Sequence, residues 1–374
     1  MKWLKPDKMS DGLHQKYLDE AVRQIPVSMR ILKSTWRGPS NIALVKYWGK
    51  KPVQIPANPS LSFTLSNSYT EMNLTVGKHA GKELELEYFF EGDQNEAFES
   101  RIGRYLLNIS SYFPFLTGCN IKIESRNTIP HSSGIASSAS SMSALALGIC
   151  SIERQILDGS KDEDFHRKAS YMARLGSGSA ARSVFGGFVT WGTLEGLEHT
   201  SDEFATPLAE NAGPAFSSLH DAVLVISPDT KSVSSSQGHA LMDDHPYAGA
   251  RYLQARENIV DLRRAIIGND METFIQITEN EALGLHGLMM SSDPAFLLLK
   301  PGTLQVLSRI QQLRKDRGIS VAFTLDAGPN AHLIYPEYER EKVLAFIRDE
   351  LLGYCHQEQW IDDRMGAGPE ELSI

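Results

Sequence analysis

The stretch Ile129-Pro-His-Ser-Ser-Gly-Ile-Ala-Ser-Ser-Ala-Ser-Ser141 decides the fold, because it is a loop of small residues that opens directly into a helix. Just upstream, residues 120–125 alternate apolar and charged side chains, a pattern typical of a strand. Downstream, residues at spacings of three and four predict one apolar helix face: Met142, Leu145, Ile149, Ile152 and Ile156. A helix start offers free N–H groups and a partial positive charge, so this strand–loop–helix unit is suited to bind a phosphate. The segment alone leaves open the alternative of an ordinary serine-rich helix cap.

The composition, with 41% hydrophobic residues, is that of a globular protein with a sizeable core. The chain has 374 residues, which favours two or three domains. Its 37 Lys and Arg against 46 Asp and Glu give a formal net charge of −9. This balance argues against general binding to nucleic acids or acidic membranes, since both need a basic face. It leaves room for a local basic pocket that binds an anionic small molecule.

Location is indicated by the cysteines and by what the sequence lacks. Cys119, Cys150 and Cys355 are far apart and odd in number, which predicts neither a metal site nor a disulfide framework and favours a reducing cytosol. The first eight residues are charged without an apolar run behind them, unlike a secretory signal. No apolar run approaches the ~20 residues of a membrane helix, so we expect a cytoplasmic protein without membrane partners.

Strand and helix patterns divide the chain into three parts: an appended segment 1–30, an N-terminal domain 31–195 and a C-terminal domain 196–374. A short helix is expected near residues 19–22, and a polar linker at 192–214. Strand patterns occur at 83–90, 184–191, 222–226, 321–325 and 332–335, and helical patterns at 252–266, 304–313 and 337–352. Strands followed by helices in each half predict an α+β fold.

Two segments of the N-terminal half combine cations with small or aromatic residues. In Asn41-Ile-Ala-Leu-Val-Lys-Tyr-Trp-Gly-Lys50, Lys46 and Lys50 flank two aromatic rings, an arrangement that can hold a phosphorylated ligand. The alternative is a strand end with solvated lysines. Gly176-Ser-Gly-Ser-Ala-Ala-Arg-Ser183 joins a small-residue loop to Arg182, whose planar fork matches a carboxylate or diphosphate. The alternative there is a flexible turn.

Two further segments of the C-terminal half are polar. Asp326 begins Asp-Ala-Gly-Pro-Asn330 at a strand end, where its carboxylate could accept a proton from a substrate hydroxyl. The alternative is an Asx-turn that closes a hairpin. Lys231-Ser-Val-Ser-Ser-Ser-Gln-Gly238 adds a lysine and hydroxyls, for which a plain loop is the alternative.

Taken together and in order, these segments resemble the GHMP kinase superfamily and, within it, the diphosphomevalonate decarboxylases. The resemblance runs from about residue 35 to about residue 352. It implies a two-domain α+β fold, with an N-terminal domain like domain 2 of ribosomal protein S5 and a ferredoxin-like C-terminal domain. It also implies a homodimer that uses ATP and Mg²⁺ to phosphorylate the 3-hydroxyl of (R)-5-diphosphomevalonate. Phosphate and CO₂ then leave, which gives isopentenyl diphosphate.

The resemblance assigns roles to particular residues. Asp326 corresponds to the catalytic aspartate, Arg182 to the arginine that holds the substrate carboxylate, and Lys50 to a catalytic lysine. Substrate-binding positions are implied for Tyr47, Trp48, Gly49, Lys50, Ser177, Gly178, Ser179, Ala180, Ala181, Arg182 and Ser236. ATP-binding positions are implied for Ser133, Gly134, Ala136, Ser137, Ser138, Ser140 and Lys231, with Ser138 also a ligand of Mg²⁺.

Four positions depart from the pattern of the family: Pro59 stands where Ser is common, and His131 replaces a small residue in the ATP loop. The other two are Ser236 and His239. Ser236 stands where the family often has Thr or Arg, and His239 stands where it often has Met. Both would meet the 5-phosphates, so a sister enzyme that acts on 5-phosphomevalonate or mevalonate, as a decarboxylase or a 3-kinase, stays an alternative. A non-catalytic metabolite-binding relative is disfavoured, because Asp326, Lys50 and Arg182 are all present.

Overall fold

The computed structural model describes residues 11–373 except 23, 27, 30, 80, 82, 129–136, 158–163, 209 and 229–234; the side chains of 11, 235 and 236 are also outside the description. The strands are β1 Ile31–Val45, β2 Lys50–Lys51, β3 Ile55–Pro56, β4 Ser60–Lys78, β5 Glu85–Phe90, β6 Asp93–Gln94, β7 Cys119–Asn127, β8 Phe188–Trp191, β9 Ala205–Pro207, β10 Leu219–Leu224, β11 Ala322–Leu325, β12 Ala331–Pro336, β13 Trp360–Arg364 and β14 Glu370–Glu371. The α-helices are α1 Asp11–Asp19, α2 Glu96–Ile109, α3 Ser137–Ile156, α4 Phe165–Gly176, α5 Ser235–Ala240, α6 Ala248–Gly268, α7 Met271–Met290, α8 Pro301–Arg317 and α9 Arg340–Phe346.

The first domain is a mixed sheet covered by helices. Its strands follow the order β14-β1-β4-β7-β5-β6, and β8 pairs with the first half of β4 while β9 pairs with β8. Neighbours run antiparallel except for β5 and β7, which are parallel. The predicted apolar face of α3 packs on this sheet, where Met142, Leu145 and Ile149 join Met72 and Leu74 in one core. Burial of this face holds α3 against the sheet, and near the start of the helix Ser140 Oγ lies 2.7 Å from Thr70 Oγ1 on β4.

The second domain is built on an antiparallel sheet in the order β11-β12-β10-β13. The predicted stripe of α8 packs on it: Val306, Ile310 and Leu313 lie in one core with Phe323 and Leu333. Because β11 and β12 are neighbours, residues 326–330 form the connection at one edge of the sheet. This connection carries Asp326 towards the first domain.

The two domains share an apolar core. Ile42 and Phe63 from the first sheet pack with Ile259, Leu262 and Ile334 from the second half. The first half of β4, Ser60–Leu65, is buried on both faces, whereas the second half mainly alternates buried and half-buried residues. This difference follows from position, since the first half of the strand lies between the domains and the second half has one open face.

Several local expectations change in the structure. The helix expected near residues 19–22 lies earlier, as α1, and Tyr17 packs in the first core. The strand expected at 184–191 is shorter, because Gly178–Val184 forms a 3-10 helix. The expected linker contains β9, and β14 near the end of the chain returns to pair with β1. Sequence periodicity could not show these changes, since each depends on packing against a distant segment.

The α+β fold with two domains is confirmed. In the described part of the chain, no helix has both the length and the apolar character needed to cross a membrane.

Candidate active site

Asp326 lies in the turn between β11 and β12, where the main-chain O accepts a hydrogen bond from Gly328 N at 2.7 Å. The side chain is 26% exposed, at the cleft between the domains. The segment therefore does close a hairpin, as the alternative from the sequence held. Its carboxylate also has a partner in the other domain.

That partner is Lys46, which follows the last residue of β1. Its Nζ lies 3.1 Å from Asp326 Oδ1, and its side chain is 3% exposed. Burial lowers the pKa of Lys46 below the ordinary 10.5, and the negative charges of Asp326 and Glu281 oppose this shift. Sequence reasoning noted Lys46 as one of two lysines beside aromatic rings and assigned the catalytic role to Lys50. The signal that favours Lys46 is its position directly after a buried strand, which carries its side chain into the interior.

Arg182 lies in the 3-10 helix Gly178–Val184 and is 2% exposed. Its guanidinium donates to Ser60 Oγ at 2.5 Å and to Ser62 Oγ at 2.9 Å, both on β4. It also donates to Asn41 Oδ1 at 3.2 Å and 3.3 Å. Burial lowers the pKa of Arg182 to about 10, an effect that the nearby charge of Asp326 opposes. Because all these partners are neutral, the cleft keeps a positive charge that suits an anionic ligand.

An aromatic wall borders the same cleft. The Tyr47 ring lies 4.8 Å from Trp191 and 4.3 Å from His239, and the Trp48 ring lies 4.8 Å from His239. Gly49 has a φ of 93° and touches Tyr252, whose hydroxyl a Cβ would overlap. Only glycine fits this position, both for its backbone angle and for its close approach.

His239 is the residue that joins this wall to the second domain. Its Nδ1 accepts a hydrogen bond from Gly49 N at 2.9 Å. Burial, together with the nearby charge of Lys50, lowers the pKa of His239 to about 3. The ring is therefore neutral at physiological pH, and its proton sits on Nε2. The sequence flagged this position as unusual without indicating the contact.

Lys50 pairs with Pro56 in a small hairpin, and burial lowers the pKa of its ammonium. Within the described residues, its side chain makes no hydrogen bond or ion pair. The predicted catalytic role of Lys50 stays a prediction.

The small-residue loop before Arg182 is tightly packed. A Cβ on Gly178 would lie 2.8 Å from Trp191 and 2.9 Å from Tyr47, so glycine is required there. Ala180 and Ala181 are fully buried, and Ser179 O accepts a hydrogen bond from Asn41. The Ser177 and Ser179 hydroxyls lie 3.5 Å apart. These residues shape the turn that carries Arg182, and their predicted contacts with a substrate stay predictions.

The predicted phosphate site is described only from the start of α3. Ser137 is exposed and Ser138 is half-buried in the first turn of the helix. Ser140 points inward instead: it is fully buried, and its Oγ lies 2.7 Å from Thr70 Oγ1. Ser133, Gly134, Ala136 and Lys231 lie outside the described residues, as does the side chain of Ser236. Within the described part of the chain, no cluster of three or more His, Cys, Asp or Glu could hold a metal ion.

The described geometry therefore gathers Lys46, Arg182 and Asp326 beside the aromatic wall in one cleft between the domains. Each comes from a different element, and two of the three lie in the first domain. Buried neutral oxygens hold the guanidinium, and a buried ammonium touches the carboxylate.

Two α+β domains, a serine-rich first turn of α3 and a cationic cleft between the domains define an enzyme of the GHMP kinase class. The sequence profile of the diphosphomevalonate decarboxylase-like N-terminal domain matches residues 38–204, and that of the mevalonate 5-diphosphate decarboxylase C-terminal domain matches residues 222–369. The chain belongs to the diphosphomevalonate decarboxylase family, and the resemblance seen in the sequence is confirmed.

Individual relatives agree with this assignment. The diphosphomevalonate decarboxylase of Saccharomyces cerevisiae is 30% identical over 339 residues, which cover 85% of this chain and 82% of that protein. The mevalonate diphosphate decarboxylase of Staphylococcus aureus has a structure with a TM-score of 0.79 and 28% identity, over 93% of this chain and 100% of that one. A solved structure of MDDEF in complex with MVAPP, AMPPCP and magnesium has a TM-score of 0.78 and 28% identity, over 92% of this chain and 100% of that one.

Proposed function

We propose that this protein catalyses the ATP-dependent decarboxylation of (R)-5-diphosphomevalonate to isopentenyl diphosphate, with ADP, phosphate and CO₂ as the other products. The observation that carries the proposal is the contact between Lys46 Nζ and Asp326 Oδ1 at 3.1 Å, in the same cleft as the buried Arg182. A carboxylate held by an ammonium serves proton removal from a hydroxyl, and a fixed guanidinium serves a carboxylate. The substrate of the proposed reaction carries both a hydroxyl and a carboxylate, so the reaction needs both of these protein groups in one site.

In the first step, the 3-hydroxyl oxygen attacks the γ-phosphorus of ATP, and the bond to the bridging oxygen of ADP breaks. Asp326 orients this hydroxyl and accepts its proton. Lys46 fixes the carboxylate and places a positive charge beside the oxygen that becomes negative. Because Lys46 is buried, this charge acts in a medium of low dielectric constant, where it is stronger than in water.

In the second step, the bond between the carboxylate carbon and C2 breaks, and its electron pair forms the new double bond. The 3-phosphate leaves with the electrons of the C3–O bond. Arg182 keeps the carboxylate aligned until CO₂ departs. Its guanidinium donates hydrogen bonds to three neutral side chains, Ser60, Ser62 and Asn41. Because these bonds fix its position, the alignment needs no reorganisation during the reaction.

The start of α3 fits the phosphates of ATP. Its first-turn N–H groups and the accessible Ser137 and Ser138 hydroxyls give donors and oxygens where the helix dipole favours an anion. Ser138 is the described residue suited to ligate Mg²⁺, since this ion takes few protein oxygens and completes its shell with phosphates and water. When bound, Mg²⁺ neutralises the charge of the transferring phosphates. A relative has been solved with AMPPCP and magnesium.

The substrate is tested by turnover of three acids with ATP and Mg²⁺: 5-diphosphomevalonate, 5-phosphomevalonate and mevalonate. We expect kcat/KM to be highest for the diphosphate, with ADP release matched by isopentenyl diphosphate in product mass. Preference for a less phosphorylated acid would move the protein to the sister activity that the Ser236 and His239 departures leave open. Absence of ADP release with all three would contradict the proposal.

We also infer from family membership that the protein works as a homodimer in the cytoplasm. Sedimentation velocity at micromolar concentration tests the dimer, and fractionation of the source cells tests the location.

A further inference from the structure

A buried ion pair lies beneath the active site. Arg251 on α6 and Glu281 on α7 form two hydrogen bonds of 2.6 Å, one from each terminal nitrogen of the guanidinium. Their side chains are 3% and 0% exposed. Burial of two charges away from water is costly, and replacement by apolar residues is often neutral or stabilising. The location of such a pair therefore calls for a specific role.

Both members of this pair reach Lys46. The main-chain N–H of Lys46 donates to Glu281 Oε2 at 2.9 Å, and Arg251 Nη2 donates to the main-chain O of Lys46 at 2.9 Å. Asn258 donates to Glu281 at 2.6 Å, and Asn58 donates to Lys46 O at 2.9 Å. The ion pair thus holds both backbone polar groups of one residue.

The backbone of Lys46 needs such partners because it has left the sheet. Strand β1 ends at Val45 and β2 begins at Lys50, so residues 46–49 lie between two strands. Buried backbone groups without a partner are strongly disfavoured. Here the charged pair of the second domain takes over the hydrogen bonds that a sheet would supply. Charged partners make shorter and stronger bonds than neutral ones.

Helix α7 also contacts Asp326, the residue whose carboxylate touches Lys46. His286 Nε2 lies 3.1 Å from the main-chain O of Asp326, and Glu279 accepts from Phe323 N on β11 at 3.1 Å. Side chains of one helix therefore contact the backbone of Lys46, of Asp326 and of the strand that leads to Asp326. Contacts with one helix, α7, therefore fix the distance between the Lys46 ammonium and the Asp326 carboxylate.

We propose that the Arg251–Glu281 pair is a positioning element, which locks Lys46 of the first domain against Asp326 of the second domain. The inference rests on the proposed function for the chemical role of the Lys46–Asp326 contact. Neither Arg251 nor Glu281 touches the reacting atoms, and both act through Lys46. A misplacement of about 1 Å at a catalytic group can cost about 100-fold in rate.

The test compares Glu281→Gln with Glu153→Gln. Glu153 forms a similarly buried pair with Lys168 at 2.6 Å, with side chains 5% and 4% exposed. It lies 16 residues along α3 from the predicted phosphate site, or about 24 Å. We expect Glu281→Gln to lower kcat by about tenfold or more, with the KM for ATP changed less than about threefold. Glu153→Gln should lower the melting temperature and leave kcat within about twofold.

Three further readouts separate positioning from a general loss of folding. Arg251→Lys keeps the charge without the double hydrogen bond, so we expect an intermediate kcat; it replaces Glu281→Gln if that variant fails to fold. Around Lys46 the charged groups are Asp326, Glu281, Arg182 and Arg251. Loss of the Glu281 charge should therefore move the alkaline limb of the kcat profile to lower pH. A crystal structure of Glu281→Gln should show a distance between Lys46 Nζ and Asp326 Oδ1 longer than 3.1 Å.

Wild-type kcat and an unchanged distance between Lys46 and Asp326 in both folded variants would overturn the inference. An equal loss of kcat in Glu153→Gln would also overturn it, because the effect would then be one of general stability. If the wild type turns over none of the three acids, the proposed function fails. The crystallographic distance still reports on positioning in that case.

Discussion

The Lys46 ammonium lies 3.1 Å from a carboxylate oxygen of Asp326, and this contact joins the end of a strand in one domain to a turn in the other. The active site is therefore complete only when the two domains are packed together. The shared core of β1, β4, α6 and β12 residues maintains this packing. Catalysis and domain packing depend on the same interface.

Asp326→Asn tests whether Asp326 accepts the proton of the substrate hydroxyl. We expect kcat to fall by about 10³-fold, because the amide cannot accept the proton of the hydroxyl, while the affinity for ATP stays within about threefold. Turnover is measured by ADP release and ATP affinity by calorimetry. Asp316→Asn, at a surface position on α8 that bonds to Gln312, is the matched control and should behave as wild type. Comparable turnover in the two variants would remove Asp326 from the chemistry.

Lys46→Arg tests the charge beside Asp326. Burial lowers the pKa of Lys46 below 10.5, so in the wild type the ammonium is lost, and kcat/KM falls, as the pH rises through this lowered value. Arginine keeps its charge over this range, so the alkaline limb should shift upwards or vanish, at a lower plateau because the side chain is larger. The measurement is kcat/KM from pH 6 to the alkaline limit of stability. An alkaline limb identical to that of the wild type would exclude Lys46 as its source.

Arg182→Gln tests the group that faces the carboxylate. We expect kcat/KM to fall by about 10³-fold, since one aligned charged donor is lost. The protein should keep its melting temperature, because Arg182 is a buried charge with neutral partners and its removal relieves a desolvation cost. Arg264→Gln on the exposed face of α6 is the control. Near-normal kinetics would refute the role, whereas a large loss of stability would mean that Arg182 mainly supports the fold.

His239→Met tests the contact between α5 and Gly49. In the folded protein the pKa of His239 is about 3, so the ring is neutral, whereas in the unfolded chain it binds a proton below about pH 6.5. Between these values the unfolded state holds more protons, so the unfolding free energy falls as the pH falls. From pH 7 to pH 5 the wild type should lose about 2 kcal/mol more than His239→Met, as measured by urea unfolding.

The exposed His199 offers a control, since His199→Asn should track the wild type at both values of pH. The same pH dependence in wild type and His239→Met would show that the ring is not held neutral in the fold.

Much of this site could be predicted from the sequence, because its motifs are local. The turn that carries Arg182 and the turn with Asp326 each combine special backbone residues with one charge. The contact between Lys46 and Asp326 could not be predicted in this way, since 280 residues separate its members. For the same reason Ser60 and Ser62, which hold Arg182, looked like ordinary strand residues.

The Arg251–Glu281 pair was missed for a different physical reason. On a helix, charged residues usually face water, and the periodic apolar stripe of α6 gives no sign that one arginine is buried. Only the approach of the first domain makes that position an interior one. Hydrophobic periodicity can therefore predict such a helix clearly without indicating which of its charged residues are buried at a domain interface.

The most direct test of the central claim is a single turnover with enzyme in excess over 5-diphosphomevalonate, in the presence of ATP and Mg²⁺. ADP, phosphate, CO₂ and isopentenyl diphosphate are quantified from the same quench. We predict equal amounts of all four products from the wild type and none above background from Asp326→Asn. ADP without CO₂ in the wild type, or turnover that survives in Asp326→Asn, would contradict an Asp326-dependent decarboxylation.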